Sequence, residues 1–514
     1  MYNFAALKTL IIKMTTRNYL LTMALSLLAT VAVQAGDYAK YYDNLPTEVK
    51  KVVPVQIPQN SVNLTDFGAV GDGVTLCTDA FKKGIEALTA QGGGRLNVPE
   101  GVWLTGPIEM KDNIELHLDK NAIIYFSPDK RLYFEGDKPV KRVNPCIYAT
   151  KAKNLAITGE GIIDGNGQQW RPVKRGKMSD VEWNQYVDMG GQVTEKGDLW
   201  YPWQLKSGYP DIADTQQKQE GMRNDLVRFE LCENILLTGV TFQNSPRFHV
   251  HPCYCKNIII DGITVRCPWN VQNGDGIDLS DCYQALIVNS TVNVGDDGLC
   301  MKSGSRKKNA PWGCQDILIQ DNTVYHAHGG FVLGSETIGG IRDMVVRHNR
   351  FLGTDVGLRF KSGVGRGGKT ERMYISDIMM ADIKDYAIVF QCDYVNRPAG
   401  SENVKDGSNK EKNVKTLIAD MKNNPVVFQM NDDGSLSAAS SQTPDFQDIH
   451  IQRVVCRGVH TGIKAAGIEG KDCIHDIDIS DCSIVYNKVA TDISEATTKL
   501  KLTNVKLTEN KKAE

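Results

Sequence analysis

The chain has 514 residues, 41% hydrophobic and 23% charged, with 59 Lys and Arg against 61 Asp and Glu. This composition supplies a large core and excludes a disordered chain or a disulfide miniprotein. A formal charge of −2 gives no sign of a sequence-independent nucleic-acid binder, so any anionic partner has to be met by a local basic cluster. Such a length ordinarily implies roughly three or four compact domains, unless internal repeats build one long unit.

Tyr19 to Val33 form an apolar run, preceded by Arg17 and followed by Val33-Gln34-Ala35, a small-residue cleavage pattern. A run of about 15 residues is too short for a comfortable membrane span. Residues 1–35 therefore read as a signal peptide, with a retained anchor helix as the alternative. The expectation is an exported chain, periplasmic or secreted, with no membrane anchor after cleavage. Residues 36–60 are a lead-in. Asp66-Phe67-Gly68-Ala69-Val70-Gly71-Asp72-Gly73 is rich in turn formers. Thr78 then suits an N-cap, Phe81, Ile85 and Leu88 recur at helical spacing, and Gly92-Gly93-Gly94 stops the helix.

From residue 113 one pattern recurs: a polar residue, alternating aliphatics, a turn, then a second apolar pair. It reads NIELHL at 113, NLAITG at 154, NILLTGVTF at 234, NIIIDGITV at 257, ALIVNSTV at 285, DILIQDNTV at 316, DMVVRHNRF at 343, DIHIQRVV at 448 and DIDISDCSI at 476. The steps from 234 to 343 are 23, 28, 31 and 27 residues, too short for strand–helix–strand units. Single strands that cannot bury a face alone have to stack, which predicts an all-β parallel β-helix over residues 61–510, its first coil closed by the helix. Two segments break the rhythm. Residues 166–225 hold Trp170, Trp183, Trp200 and Trp203, which can stack on sugars or plug a local core. Residues 397–442 read as a polar surface excursion.

The 13 Cys include no CxxC pair and sit in strand-like stretches, as small core hydrophobes do. His249, His251, Cys253 and Cys255 alternate at period two and invite a zinc reading. Structural zinc ligands usually come from turns at wider spacing, so no metal is expected.

Four short motifs fall at coil-sized intervals: Asn273-Gly-Asp275-Gly, Gly295-Asp296-Asp297-Gly298, His328-Gly329-Gly330 and Arg359-Phe-Lys361. If each interval is one coil, they form one vertical stripe at about 4.8 Å per coil. Carboxylates gathered on adjacent coils repel and raise at least one pKa. Arg359 and Lys361, two apart, face one side and suit an anionic ligand.

NGDGID, GDDG, HGGFVLGSE and GLRFKS resemble the four signatures of the polygalacturonase family, glycoside hydrolase family 28, usually NTD, DD, GHG and RIK. DFGAVGDG…TDAF and QNSPRFHVHP at 243–252 fit as well, and the resemblance covers roughly residues 60–500. Gly274, Ala327 and Phe360 depart from the usual forms without replacing a residue expected to do chemistry. The resemblance implies a single-stranded right-handed, pectin-lyase-like solenoid that hydrolyses α-1,4 galacturonosyl bonds with inversion and needs no cofactor. Its substrate would be a pectic polysaccharide or oligogalacturonide. Carried over, Asp296 is the general acid, and Asp275 with Asp297 activates the water. Asn273, His328, Arg359 and Lys361 bind substrate, and His251, Glu336, Trp200 and Trp203 are further candidate contacts. A bend or bulge is expected at 296–297, because neighbours on an ideal strand face opposite sides. HGGFVLGSE, GRGG at 365–368 and the 166–225 insertion favour exo action. Endo cleavage, rhamnogalacturonan as substrate, a lyase and a non-catalytic glycan-binding β-helix remain the alternatives.

Overall fold

A computed structural model describes residues 38–133, 143–202, 223–304, 310–392, 394, 427–430, 436–439 and 443–511. Equivalent strands of successive coils pair in parallel: through Lys361 they are short, and in the later coils they merge into long strands, Lys369–Gln391 and Ile449–Ala466. The expected signal peptide lies outside the described residues.

The repeated motif forms one ladder, with Ile235, Ile258, Ala285, Ile317 and Met344 in register on five successive coils. These side chains, and Leu237, Ile260, Ile287, Ile319 and Val346 two residues on, are fully buried. The polar residue that opens each repeat has a physical reason. Asn113, Asn154, Asn234, Asn257, Asp316 and Asp343 all adopt the left-handed conformation, with φ from 56° to 61°, which Asn and Asp tolerate better than other side chains with a Cβ. The asparagine amides also stack. Asn154 Nδ2 donates to Asn113 at 2.6 Å, Asn234 to Asn154 at 2.8 Å and Asn257 to Asn234 at 2.9 Å.

The expected helix spans Thr78–Ala90 and buries Phe81, Ile85 and Leu88. Thr78 is not its N-cap. Cys77 holds that position, and the Thr78 hydroxyl accepts from Gly106 N at 2.6 Å, tying the helix to the coil beneath. The lead-in is a strap. Tyr41, Tyr42, Val49, Val52, Val55 and Ile57 pack on Leu236, Ile259, Leu286, Leu318 and Val345, the outward side chains of the repeat ladder. All 13 cysteines are free, and every one except the half-buried Cys267 is buried.

The first insertion carries a helix, Asp180–Asp188, and three short antiparallel strands, Val173–Lys174, Gln192–Val193 and Leu199–Tyr201. Its tryptophans are plugs. Trp170 is fully buried edge-on to Tyr133, Trp183 is buried, and Trp200 is buried with its indole N–H donated to Gly190 O at 2.6 Å. Trp200 therefore offers no face to a sugar, and Trp203 lies outside the described residues. Of the second insertion, the described part is an antiparallel pair, Val427–Met430 with Leu436–Ala439.

Candidate active site

The four motifs lie on a second ladder, formed by Val250–Cys253, Ile277–Ser280, Asp297–Ser303, Gly329–Thr337 and Val356–Lys361. Asn273 to Gly276 lead into the second of these strands, Gly295 and Asp296 into the third, and His328 into the fourth. Asp296 sits in a bend just before the strand that Asp297 opens, so the two neighbouring carboxylates need not follow strand alternation. The register shift on this strand falls later, between Met301 and Ser303.

Close packing of coils explains the glycines. A Cβ on Gly276 would lie 2.5 Å from Gly298 O, and one on Gly274 would lie 2.6 Å from the Val271 side chain. The departure from Thr at 274 thus follows from space. Phe360, the one bulky departure, stacks on Phe390 at 4.2 Å in the core.

The stripe is not vertical. His328 N donates to Asp296 O at 2.8 Å, so His328 stands one coil above Asp296. On the next coil its partner is Asp355, whose Oδ2 is 2.7 Å from His328 Nδ1. Arg359 aligns with Val332 and Cys300 instead. It still reaches the acids, because Lys361 Nζ lies 2.7 Å from Asp297 Oδ2 and Arg359 Nη1 lies 3.8 Å from Asp297 Oδ1. Both cations also face the Tyr394 ring.

The three acids occupy two environments. Asp275 and Asp297 are buried, whereas Asp296 is partly exposed. Asp296 accepts from Asn273 N at 3.0 Å and Asp297 N at 3.1 Å. An oxygen of Asp275, an oxygen of Asp297 and Cys300 Sγ lie within 4.8 Å of one another, and Oδ1 of each carboxylate is buried without a hydrogen-bond partner. Burial and the neighbouring Asp278 push Asp275 well up, against the pull of Lys302. Burial also acts on Asp297, but Lys361, Arg359, Lys302 and His328 outweigh it and hold that carboxyl well below the usual range. The Asp275–Asp297–Cys300 cluster has the spacing of a cation site. Lys302 at Asp275 and Lys361 at Asp297 already supply the countercharge there and oppose a metal ion.

The remaining candidates differ in place. Asn273 holds a left-handed turn, and its Oδ1 accepts from Arg223 at 3.0 Å. His251 is buried, with Nδ1 2.8 Å from Asp225 and Nε2 3.1 Å from Ser280 Oγ, so it supports the wall instead of meeting substrate. Burial pushes it down to about 4. His249 is likewise buried, with Nδ1 2.8 Å from Asp275 O, and Cys255 Sγ faces Phe229 O, so the alternating His and Cys serve packing. Glu336 pairs with Arg366 at the opposite end of its strand from His328. Asp278 and Lys302, absent from the candidate set, both lie in this cluster. Counting alternate residues outward from Cys300 would have found Lys302, and NGDGID itself contains Asp278.

A family model, Glycosyl hydrolases family 28, matches residues 185–417. A probable polygalacturonase of Vitis vinifera is 30% identical over 342 residues, 63% of this chain and 62% of the relative. An exo-poly-alpha-D-galacturonosidase of Dickeya chrysanthemi is 28% identical over 351 residues, 65% of this chain and 57% of the relative. The chain thus spans about three fifths of these curated relatives. The crystal structure of a hyperthermoactive exopolygalacturonase from Thermotoga maritima superimposes with a TM-score of 0.68 at 29% identity, covering 91% of this chain and 96% of that one. With the four motifs gathered on one ladder of a parallel β-helix, these matches make the chain similar to glycosyl hydrolases family 28 over its site-bearing coils.

Proposed function

We propose that the chain hydrolyses α-1,4 galacturonosyl bonds of pectic polysaccharide or its oligosaccharides with inversion, releasing galacturonate from a chain end. The observation that carries this reading is the division of three acids into a buried, partly unpartnered pair and one partly exposed carboxyl. Inversion needs an acid on one side of the bond and a base-activated water on the other. Asp296, at the exposed position, gives its proton to the leaving glycosidic oxygen. The anomeric C–O bond breaks as the water oxygen bonds to the anomeric carbon from the opposite side, and the water's proton passes to Asp275. Asp297, kept anionic by Lys361 and Arg359, accepts a hydrogen bond from the same water. Arg359 Nε and Nη1, buried without hydrogen-bond acceptors, suit a galacturonate carboxylate.

Support for exo action comes from the insertion, whose far end brings Arg223 onto Gln272 O and Asn273 beside the acids. Export rests on the apolar run Tyr19–Val33, and N-terminal sequencing of the mature protein tests it.

Asp296→Asn is expected to abolish release of reducing ends from polygalacturonate while the melting curve stays unchanged. Near-normal turnover removes Asp296 from the role, and a retained anomer in fresh product refutes the inverting scheme. Unsaturated, ultraviolet-absorbing products would mark a lyase. Oligosaccharides of mixed length appearing before monomer would mark endo cleavage.

A further inference from the structure

Lys302 Nζ sits 3.1 Å from Asp275 Oδ2 and in contact with Asp278 Oδ1. Its strand neighbours explain the placement: Cys300 pairs with Asp278 and Lys302 with Ser280 across one coil step. Asp278 is fully buried, and the Phe248 ring lies 4.9 Å from the ammonium. The nearby cations are committed elsewhere. Lys361 and Arg359 face Asp297, Arg228 binds Asp225, and Arg223 binds Asn273. One ammonium therefore serves two carboxylates, and Asp275 Oδ1 and Asp278 Oδ2 both lack a hydrogen-bond partner.

We propose that Lys302 and Asp278 are a positioning pair that tunes Asp275 as the base for the attacking water. The inference rests on the hydrolytic reading above. Neither residue touches the sugar in this scheme; each acts through Asp275. A like charge beside a carboxylate opposes its ionisation and an ammonium favours it, so the two partners pull in opposite directions. The other groups facing Asp275 are Asp296 and Asp297 from the next coil, Cys300 on the strand of Lys302, and Cys267 and His249 from the preceding coil. Burial pushes Asp278 up to about 6 against the pull of Lys302, in keeping with a shared countercharge.

The test is the pH profile of kcat/KM on a defined galacturonate oligomer for Asp278→Asn, Lys302→Met and the double variant, with thermal melts to verify folding. Asp278→Asn should carry the acid limb downward and Lys302→Met upward, with the double variant between them. A shift of about one pH unit changes the rate about tenfold at a fixed pH on that limb. A role in packing alone would lower activity without moving the limbs apart. If Lys302→Met does not fold, Asp278→Asn decides by itself. Limbs that stay in place, or move together, in folded and active variants overturn the pair's role and leave the hydrolytic reading standing. Failure of the unaltered protein to release reducing ends overturns that reading and this inference with it.

Discussion

Lys361 places its Nζ 2.7 Å from Oδ2 of Asp297, a residue 64 positions earlier and two coils away. Both side chains are less than a tenth exposed. The pair fixes Asp297 as an anion inside the solenoid wall and ties the third site-bearing strand to the fifth.

Lys361→Met should therefore cost about 3–5 kcal/mol near neutral pH, the range for stranding one partner of a buried ion pair. The sign with pH follows from the depressed Asp297 carboxyl. Its stabilising contribution is full above the unfolded value of about 3.9 and is lost as pH falls through the folded value. In the variant that carboxyl protonates more readily, so the gap between the two proteins should narrow below about pH 4. Urea melts across this range check it, and a gap that does not change with pH contradicts it.

His328 is held from the next coil by Asp355, which Lys384 binds at 2.7 Å on its other oxygen. Burial opposes ionisation of Asp355, but the bonds from His328 and Lys384 bring it down to about 2. A carboxylate only accepts, so Nδ1 carries the proton and Nε2 is left for the groove. Asp355→Asn removes that constraint on the tautomer. Because Asp355 and His328 are 26% and 42% exposed, stability should fall by less than about 1 kcal/mol. The corresponding drop in kcat/KM should be about tenfold or more, equal to about 1.4 kcal/mol of activation energy. Paired melting and steady-state measurements separate the two effects, and an unchanged kcat/KM denies His328 an oriented role.

Asn257 has φ 57°, donates to Asn234 Oδ1 and Val53 O, and accepts from Val53 N. Asn257→Ala should lose those bonds and also incur about 1–2 kcal/mol of left-handed backbone cost. Asn257→Gly should recover the backbone part alone. Chemical denaturation of the two variants checks the order, and equal stabilities would mean that conformation is not what selects Asn at this position.

The repeat ladder was legible because two independent constraints coincide on it: a left-handed residue that favours Asn or Asp, and aliphatics that alternate into the core. Ile258, Ala285, Ile317 and Met344 could be aligned by eye across steps of 27, 32 and 27 residues. On the site ladder the steps are just as uneven, 22 between Asp278 and Cys300, 32 between Cys300 and Val332 and 27 between Val332 and Arg359, and no repeated Asn or Asp marks the register there. Equal spacing therefore put Arg359 above His328, where Asp355 stands. The identities of the acids were readable from their motifs, but their environments were not. Burial of Asp275 beside Lys302 depends on which coil residue 302 faces. Trp200 was ambiguous for a similar reason, since a loop's tryptophan reads alike whether it plugs the loop's own small core or lines a groove.

The strap also fixes an order of events. Tyr41 O is bound by Arg347, 306 residues further along, and the strap spans coils from Leu236 to Val345. A ribosome adding about 5–20 residues per second needs roughly 15–60 s to make that distance. Val53 meets Asn257 after 204 residues and Lys51 meets Gln284 after 233, so the strap can be laid down coil by coil before Arg347 exists. The clasp is complete only when the last of its partners has arrived, so its Tyr41 end fastens a nearly finished cylinder.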